Sequence, residues 1–275
     1  MKQIEVVIKA KAKWQILDFT EIWNFRELFY IFLWRDLKIR YKQTLLGITW
    51  VIMQPLISMI IFTIFFGNLA KIPSGNLPYS LFVMTGLIFW NFFSGSLARS
   101  SNSMLEHENI ITKVYFPKII LPFSSIVTFF VDFVINLCML FIVAAVLGYF
   151  PNFWTIIILP IVIILTAITS AGLGLILCSL NVKYRDVRNI LPFFIQINLF
   201  LTPIIYPLSI VSDRNKIIMA INPMTTVVET ARQIFSKNVI IRQDLILISF
   251  LSSILILVIG LWYFRKTEKY FADIV

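Results

Sequence analysis

The chain has 275 residues, 59% of them hydrophobic and only 14% charged, against about 25% charged in an ordinary soluble domain. Its mean hydropathy of +0.87 excludes a water-soluble enzyme built round one core. The net charge of +10 would suggest nucleic acid in another composition. Here the charges fall between long apolar runs, so the membrane surface is the expected partner and nucleic acid is not.

The first 20 residues hold four lysines and lack the apolar centre of a cleavable signal. From 18 to 41 the sequence is charged yet aromatic at helical spacing. Ile22, Phe25, Phe29, Phe32 and Leu33 share one face, and Asn24, Glu27, Arg35 and Lys38 stay polar. Asp18 followed by Glu21 resembles a capping box. The segment reads as an amphipathic helix, lying in the membrane interface or packed on a partner, and the two are compatible.

A helix needs about 20 mostly apolar residues to cross the hydrocarbon layer. Residues 46–67 and 77–98 are uncharged, and 119–182 carries Asp132 alone. That last run is too long for one helix, and Gly148-Tyr149-Phe150-Pro151-Asn152 is its natural break. The expected spans are therefore about 46–67, 77–98, 119–147, 153–180, 189–210 and 245–264. The fifth is the weakest, because Pro192, Pro203 and Pro207 interrupt it. Of the 24 Lys and Arg, 18 lie in residues 1–45, 99–118, 183–188 and 265–269. This bias places both termini in the cytoplasm. The fold expected is an all-α integral membrane protein: a cytoplasmic segment 1–45, a six-span domain 46–264 and a tail 265–275.

In the loop after the second span, Ser103-Met104-Leu105-Glu106 fits a helix start, and the helix is expected to run to about Lys113, before Pro117. Residues 211–244 are long for a structureless loop. They hold two short apolar pieces separated by Asn222-Pro223, which read as two short helices in the outer leaflet or as a small surface domain.

Chemical motifs are sparse. No glycine opens a G-x-x-x-x-G-K-[ST] phosphate loop, no G-x-S-x-G elbow occurs, and no His/Cys/Asp spacing suits a metal. Catalysis within this chain is not expected. Cys138 and Cys178, inside apolar runs, read as small packing residues, and the single histidine, His107, as a solvated loop residue. Asp132 is the ionisable residue deep within a span, a position that marks function by default. A structural pairing with Asn136, one turn away, is the favoured reading.

Arg40-Tyr41-Lys42-Gln43-Thr44-Leu45-Leu46-Gly47-Ile48-Thr49-Trp50 with Gln54-Pro55-Leu56 resembles the start of the first span in type-2 ABC exporter permeases of the polysaccharide branch, which export O-antigen, capsule or teichoic acid. Lys113-Val114-Tyr115-Phe116-Pro117-Lys118 is similar to that family's segment before span three, and 181–188 to its second cytoplasmic loop. Thr202-Pro203-Ile204-Ile205-Tyr206-Pro207 and Asn222-Pro223-Met224 are similar to its late segments.

The resemblance implies a permease in the bacterial inner membrane that exports a lipid-linked polysaccharide. It implies a homodimer bound to two copies of a separate ATP-binding subunit, with ATP and magnesium held there and no cofactor here. The 103–113 helix becomes the coupling helix, with Ser103, Leu105, Glu106, Asn109, Ile110 and Lys113 as contacts, and 211–244 supplies outer gating helices. Trp50, Phe62, Phe65, Phe89, Trp90, Phe200 and Tyr206 are candidate channel-lining rings, because flat aromatic faces let a sugar polymer slide without fixing a register. Lipid anchoring is the alternative for each ring. Export of a small lipid or drug is the competing transport reading. A membrane glycosyltransferase would need more acidic or histidine groups, and an ion-coupled carrier would show repeats.

Overall fold

In a computed structural model, which describes residues 19–42, 47–184, 186–236, 242–268 and 271, the regular structure among the described residues is helical. Helices α1 (Phe19–Asn24) and α2 (Arg26–Lys42) precede α3 (Gly47–Phe62), which continues as π-helical turns through Thr63–Leu69. Then come α4 (Tyr79–Glu106), α5 (Glu108–Ile111), α6 (Ile120–Val146), α7 (Thr155–Lys183) and α8 (Val187–Leu201). The chain closes with α9 (Asp213–Ala220), α10 (Pro223–Arg232) and α11 (Gln243–Glu268). The Asp18 cap, residues 43–46 of the Arg40–Trp50 motif and residues 237–241 lie outside the described residues.

Among the described residues five helices are long and apolar enough to cross a membrane: Gly47–Leu69, α4, α6, α7 and α11. Helix α4 is the centre of the bundle. In its most apolar 18-residue stretch 78% of residues are buried, against 6% for Gly47–Leu69. Small residues and rings on α4 make this possible: Phe89 and Phe92 pack on Phe133 of α6 with centroids 5.1 and 5.0 Å apart. Helices α7 and α11 cross at Gly172 and Gly260, where a β-carbon on Gly260 would stand 2.4 Å from the Gly172 carbonyl oxygen. Lipid offers no hydrophobic drive for helix pairing, so such close backbone approach supplies the dispersion contact instead.

The two ends of the bundle differ. At one, Phe32 of α2 packs with Met104, Ile111, Phe116, Val182 and Phe264, so α2 and the C-terminal end of α11 share an end. At the other, Leu208, Ala220 and Leu245 form a small cluster, and Asn152 donates to the carbonyls of Gln233 (2.7 Å) and Ser236 (2.9 Å). There α10 begins as its sequence dictates. Pro223 needs no donor in the first turn, and the Asn222 side chain caps Met224 N at 3.1 Å.

The structure redraws two expected elements. The amphipathic segment is two helices with a turn at Phe25, whose N–H reaches the carbonyls of both Glu21 and Ile22. The expected face is nevertheless the one that packs, with Phe32 buried and Ile22, Phe25 and Phe29 half-buried beside it. The expected fifth span, 189–210, contains a helix of only 15 residues. Thr202 is extended (φ −86°, ψ 135°), the conformation a following proline imposes. The chain from 202 to 205 is then buried without regular structure, held in part by Tyr79 Oη donating to the Ile205 carbonyl at 2.8 Å.

Candidate coupling end and translocation face

Nothing between Ala98 and Ser103 breaks a helix, so α4 runs on through the expected start of a new one. Ser103 is buried and donates to the Ser100 carbonyl (2.7 Å) rather than capping. Glu106 ends α4 and pairs with Arg99, two turns back, at 2.8 Å. The separate helix expected over 103–113 is therefore the last turn of α4, a turn at His107, and the short α5. Leu105 and Ile110 are half-buried and Glu106 is exposed, while Asn109 and Lys113 stand on the open surface with Val114 and Tyr115.

His107 corrects a second expectation. It is 4% exposed, not solvated. Its Nδ1–H donates to the Ser103 carbonyl at 2.6 Å, which leaves Nε2 as an acceptor, and Arg35 of α2 donates to it. The Phe32 ring meets it edge-on. Burial pulls the His107 pKa down, the Ser103 bond opposes that, and Arg35 adds to the lowering. A neutral imidazole thus joins α2 to the α4–α5 turn. Around it lie Asp36, 2.8 Å from Arg35 and 3.8 Å from Arg99, and Glu106.

Deeper in the bundle Asp132 is buried, as expected, but its partners are Arg40 and Tyr41 at the end of α2 and not Asn136. A carboxylate at this depth needs a cation and donors. The amide one turn away is a weaker match, and Asn136 Oδ1 is left without a partner. The two cysteines separate: Cys178 is buried against Ser103 (3.6 Å), whereas Cys138 faces outward.

The candidate lining rings also divide. Phe89 and Trp90 are 0% and 4% exposed and belong to the buried core, Phe89 against Phe133 of α6 and Trp90 against Phe93. Trp50 on α3, Phe65 on the π-helical turns after it and Phe200 on α8 are exposed; Phe62 and Tyr206 are half-buried. Phe62 stacks on Phe66 at 5.5 Å, and Tyr206 Oη approaches the Phe200 carbonyl at 3.3 Å.

At the opposite end the sequence reading passed over Arg232. It is 3% exposed, donates to the carbonyls of Ile204 (2.8 Å) and Phe82 (3.3 Å), and stands 3.4 Å from the Phe82 ring centroid. Glu229, one turn back, is its counter-ion at 3.3 Å. Burial pulls its pKa down to about 10, still charged at neutral pH. One turn-spaced Glu–Arg pair in an apolar stretch was the available signal. Asp36 and Arg99 were missed likewise, although Arg99 and Glu106 sit seven apart on one helix, and Arg35 was read only as part of a polar face.

Long apolar helices round a buried centre, with charge gathered at the helix ends, define a multi-pass membrane protein, in bacteria one of the inner membrane. The sequence profile of the ABC-2 type transporter family matches residues 27–236, and the chain belongs to that family. It is 29% identical over 220 residues to the O-antigen export system permease protein RfbA of Myxococcus xanthus, covering 79% of this chain and 84% of that one. It is 27% identical over 241 residues to RfbA of Klebsiella pneumoniae, covering 88% and 92%. With the polysialic acid transport protein KpsM of Escherichia coli it shares 22% over 242 residues, 86% and 91% of the two chains.

Proposed function

We propose that this chain is the permease subunit of an ABC exporter that moves a lipid-linked polysaccharide, of O-antigen, capsule or teichoic-acid type, across the inner membrane. The observation that carries the reading is the match, along most of both chains, to proteins named O-antigen export permeases. On this reading ATP and magnesium bind a separate subunit, two copies of which serve a homodimer of this chain, and the chain itself catalyses no reaction.

Six crossings with both ends cytoplasmic follow from the same reading. At about 1.5 Å per residue, α8 falls short of a bilayer of about 30 Å. The buried segment 202–205 supplies the remainder, which is tolerable because protein rather than lipid surrounds it. The shared end of α2 and the C-terminal part of α11 supports an even number. Helices α3, with its π-helical continuation, and α8, each with one buried residue, present Trp50, Phe65 and Phe200 to a second copy and to the path between them. The α4–α5 turn is the coupling element, and α9 and α10 are outer gating helices.

The test is co-purification and rescue. Affinity-tagged chain should bring down an ATP-binding subunit, and its gene should restore surface polysaccharide to a strain lacking it. A chain that restores drug resistance and leaves surface polysaccharide absent would replace this reading with small-molecule export.

A further inference from the structure

One face of α2 serves three neighbours in turn. Phe32, Asp36 and Arg40 follow at four-residue steps, so they lie on one side of the helix. Phe32 meets His107 edge-on and packs on Phe116 at the α4–α5 end. Asp36 stands 3.8 Å from Arg99 of α4. Arg40 pairs with Asp132, near the middle of α6, and its guanidinium lies 4.2 Å from the Phe129 ring centroid. Helix α2 thus bridges the α4–α5 turn and the membrane interior.

The hold on Asp132 is two-handed. Its Oδ1 accepts from Tyr41 Oη and its Oδ2 faces the Arg40 guanidinium. The Asp132 side chain is 8% exposed, against 36% for Arg40. Stability alone does not explain such a pair. Taking the charges from water costs about what their attraction returns, and apolar side chains of similar volume often fill a buried site as well or better. What an apolar contact lacks is direction. It can slide, whereas a carboxylate gripped by two donors from one helix fixes that helix in angle and register. The pair also stands on the wall of a cavity of about 740 Å³ between α2, α3, α4 and α6. Close-packed interiors resist displacement, and this space gives α6 room to follow α2 and shift against α3.

We propose that Asp132, Arg40 and Tyr41 are positioning residues for export, locking α6 to α2 so that movement of the α4–α5 turn reaches the middle of the membrane. The turn grips α2 through the Arg35–His107 bond and the Phe32 ring, and α2 grips α6 through Asp132. The inference rests on the exporter reading and adds to it a second mechanical joint, remote from the ATP-binding subunit. With that joint cut, the turn still moves and ATP is still hydrolysed, but α6 does not follow.

The test uses the full-length chain with its ATP-binding subunit, in cells lacking the chromosomal copy of this chain and as the purified complex in nanodiscs. The decisive variant is the double Arg40→Met, Asp132→Leu, which replaces the pair by apolar volume and leaves no charge unmatched. It should keep its thermal midpoint, its capture of the ATP-binding subunit and basal ATP hydrolysis. Surface polysaccharide, at matched amounts of inserted complex, should fall roughly tenfold. The ratio of polysaccharide displayed to ATP hydrolysed is the readout, because a merely structural role changes the amount of complex and not this ratio. Arg40→Lys, which keeps the charge, should recover much of the ratio. Should the double variant fail to insert, Asp132→Asn decides alone, since it keeps the shape and an acceptor for Tyr41 and removes the counter-charge. An unchanged ratio in a well-inserted variant would overturn the proposal, as would loss of insertion or subunit capture in both variants. A wild-type chain that restores no surface polysaccharide removes the exporter reading instead. Wild-type rescue with an unchanged ratio in the variants removes only the joint.

Discussion

Gly172 and Gly260 meet so closely across the α7–α11 crossing that neither position has room for a side chain. A β-carbon on Gly172 would fall 2.7 Å from Leu257 N, and one on Gly260 would fall 2.4 Å from the Gly172 oxygen. Both obstructing atoms are backbone, so no side-chain rotation relieves the clash. Gly260→Val should force the helices apart and lower the thermal midpoint of the detergent-purified chain by more than ordinary overpacking, which costs about 1–3 kcal/mol. Leu255→Val, on the exposed side of α11, should leave the midpoint nearly unchanged. Equal midpoints for the two variants would show that the crossing is not packed as described.

The His107 junction sets a pH dependence. Its folded pKa lies below the ordinary 6.5, so the unfolded chain binds the proton more readily. Stability from this group is therefore complete above 6.5 and is lost as pH falls through the folded value. The mechanism is local: a second N–H on the ring would remove the acceptor that Arg35 uses and face a like charge. Arg35 and Asp36 from α2, with Arg99 and Glu106 from α4, share this environment. Thermal midpoints measured across that window should fall on acidification. In His107→Gln, whose amide can both donate to Ser103 and accept from Arg35, the fall should be much smaller. An identical acid profile in both proteins would assign the effect to the carboxylates.

Arg232 holds α10 to the first turns of α4 and to the buried 202–205 segment. Arg232→Met keeps the bulk and removes the donors, leaving the buried Ile204 carbonyl unpaired at about 1–3 kcal/mol, while the Phe82 carbonyl keeps its bond within α4. Arg232→Lys should recover little of this, because one ammonium cannot reach both carbonyls and cover the Phe82 ring. Protease sensitivity of the chain after Arg232 should rise in both variants before the helical circular dichroism changes. Full recovery by lysine would mean that charge alone, not the planar fork, holds the latch.

Much of this architecture is legible in the sequence, because crossing a bilayer demands long uncharged runs and leaves charge only between them. The break at Gly148 is an example: it adopts φ +78°, a conformation open chiefly to glycine, and α6 ends two residues before it. The end of α4 was less legible. Ser103-x-x-Glu106 reads locally as a cap, but an uninterrupted helix that already satisfies its own donors gives a cap nothing to do. Asp132 was visible as an anomaly, whereas its partners on α2 are more than ninety residues away and nothing in local spacing points there. Phe89 and Phe200 look alike in sequence. Only the packing of α4 at the centre and α8 at the margin separates a core ring from an exposed one.

The coupling proposal makes a sharper demand of the α4–α5 turn than the sequence alone allowed. Ile111 is buried with Phe32 and Phe116, so charge placed there would disrupt this end of the bundle whatever binds to it. Val114 and Asn109 are different: Val114 is 54% exposed, and both stand on the open surface beside Lys113. Val114→Asp should leave membrane insertion and thermal stability unchanged. It should weaken capture of the ATP-binding subunit by roughly 2 kcal/mol or more if the valine is central to that contact, with surface polysaccharide falling in step. Ile111→Asp should lose stability and capture together, which separates a structural defect from a lost contact. Normal capture and export by a double Val114→Asp, Asn109→Trp variant would mean that the ATP-binding subunit docks elsewhere, leaving the α4–α5 turn as a connector.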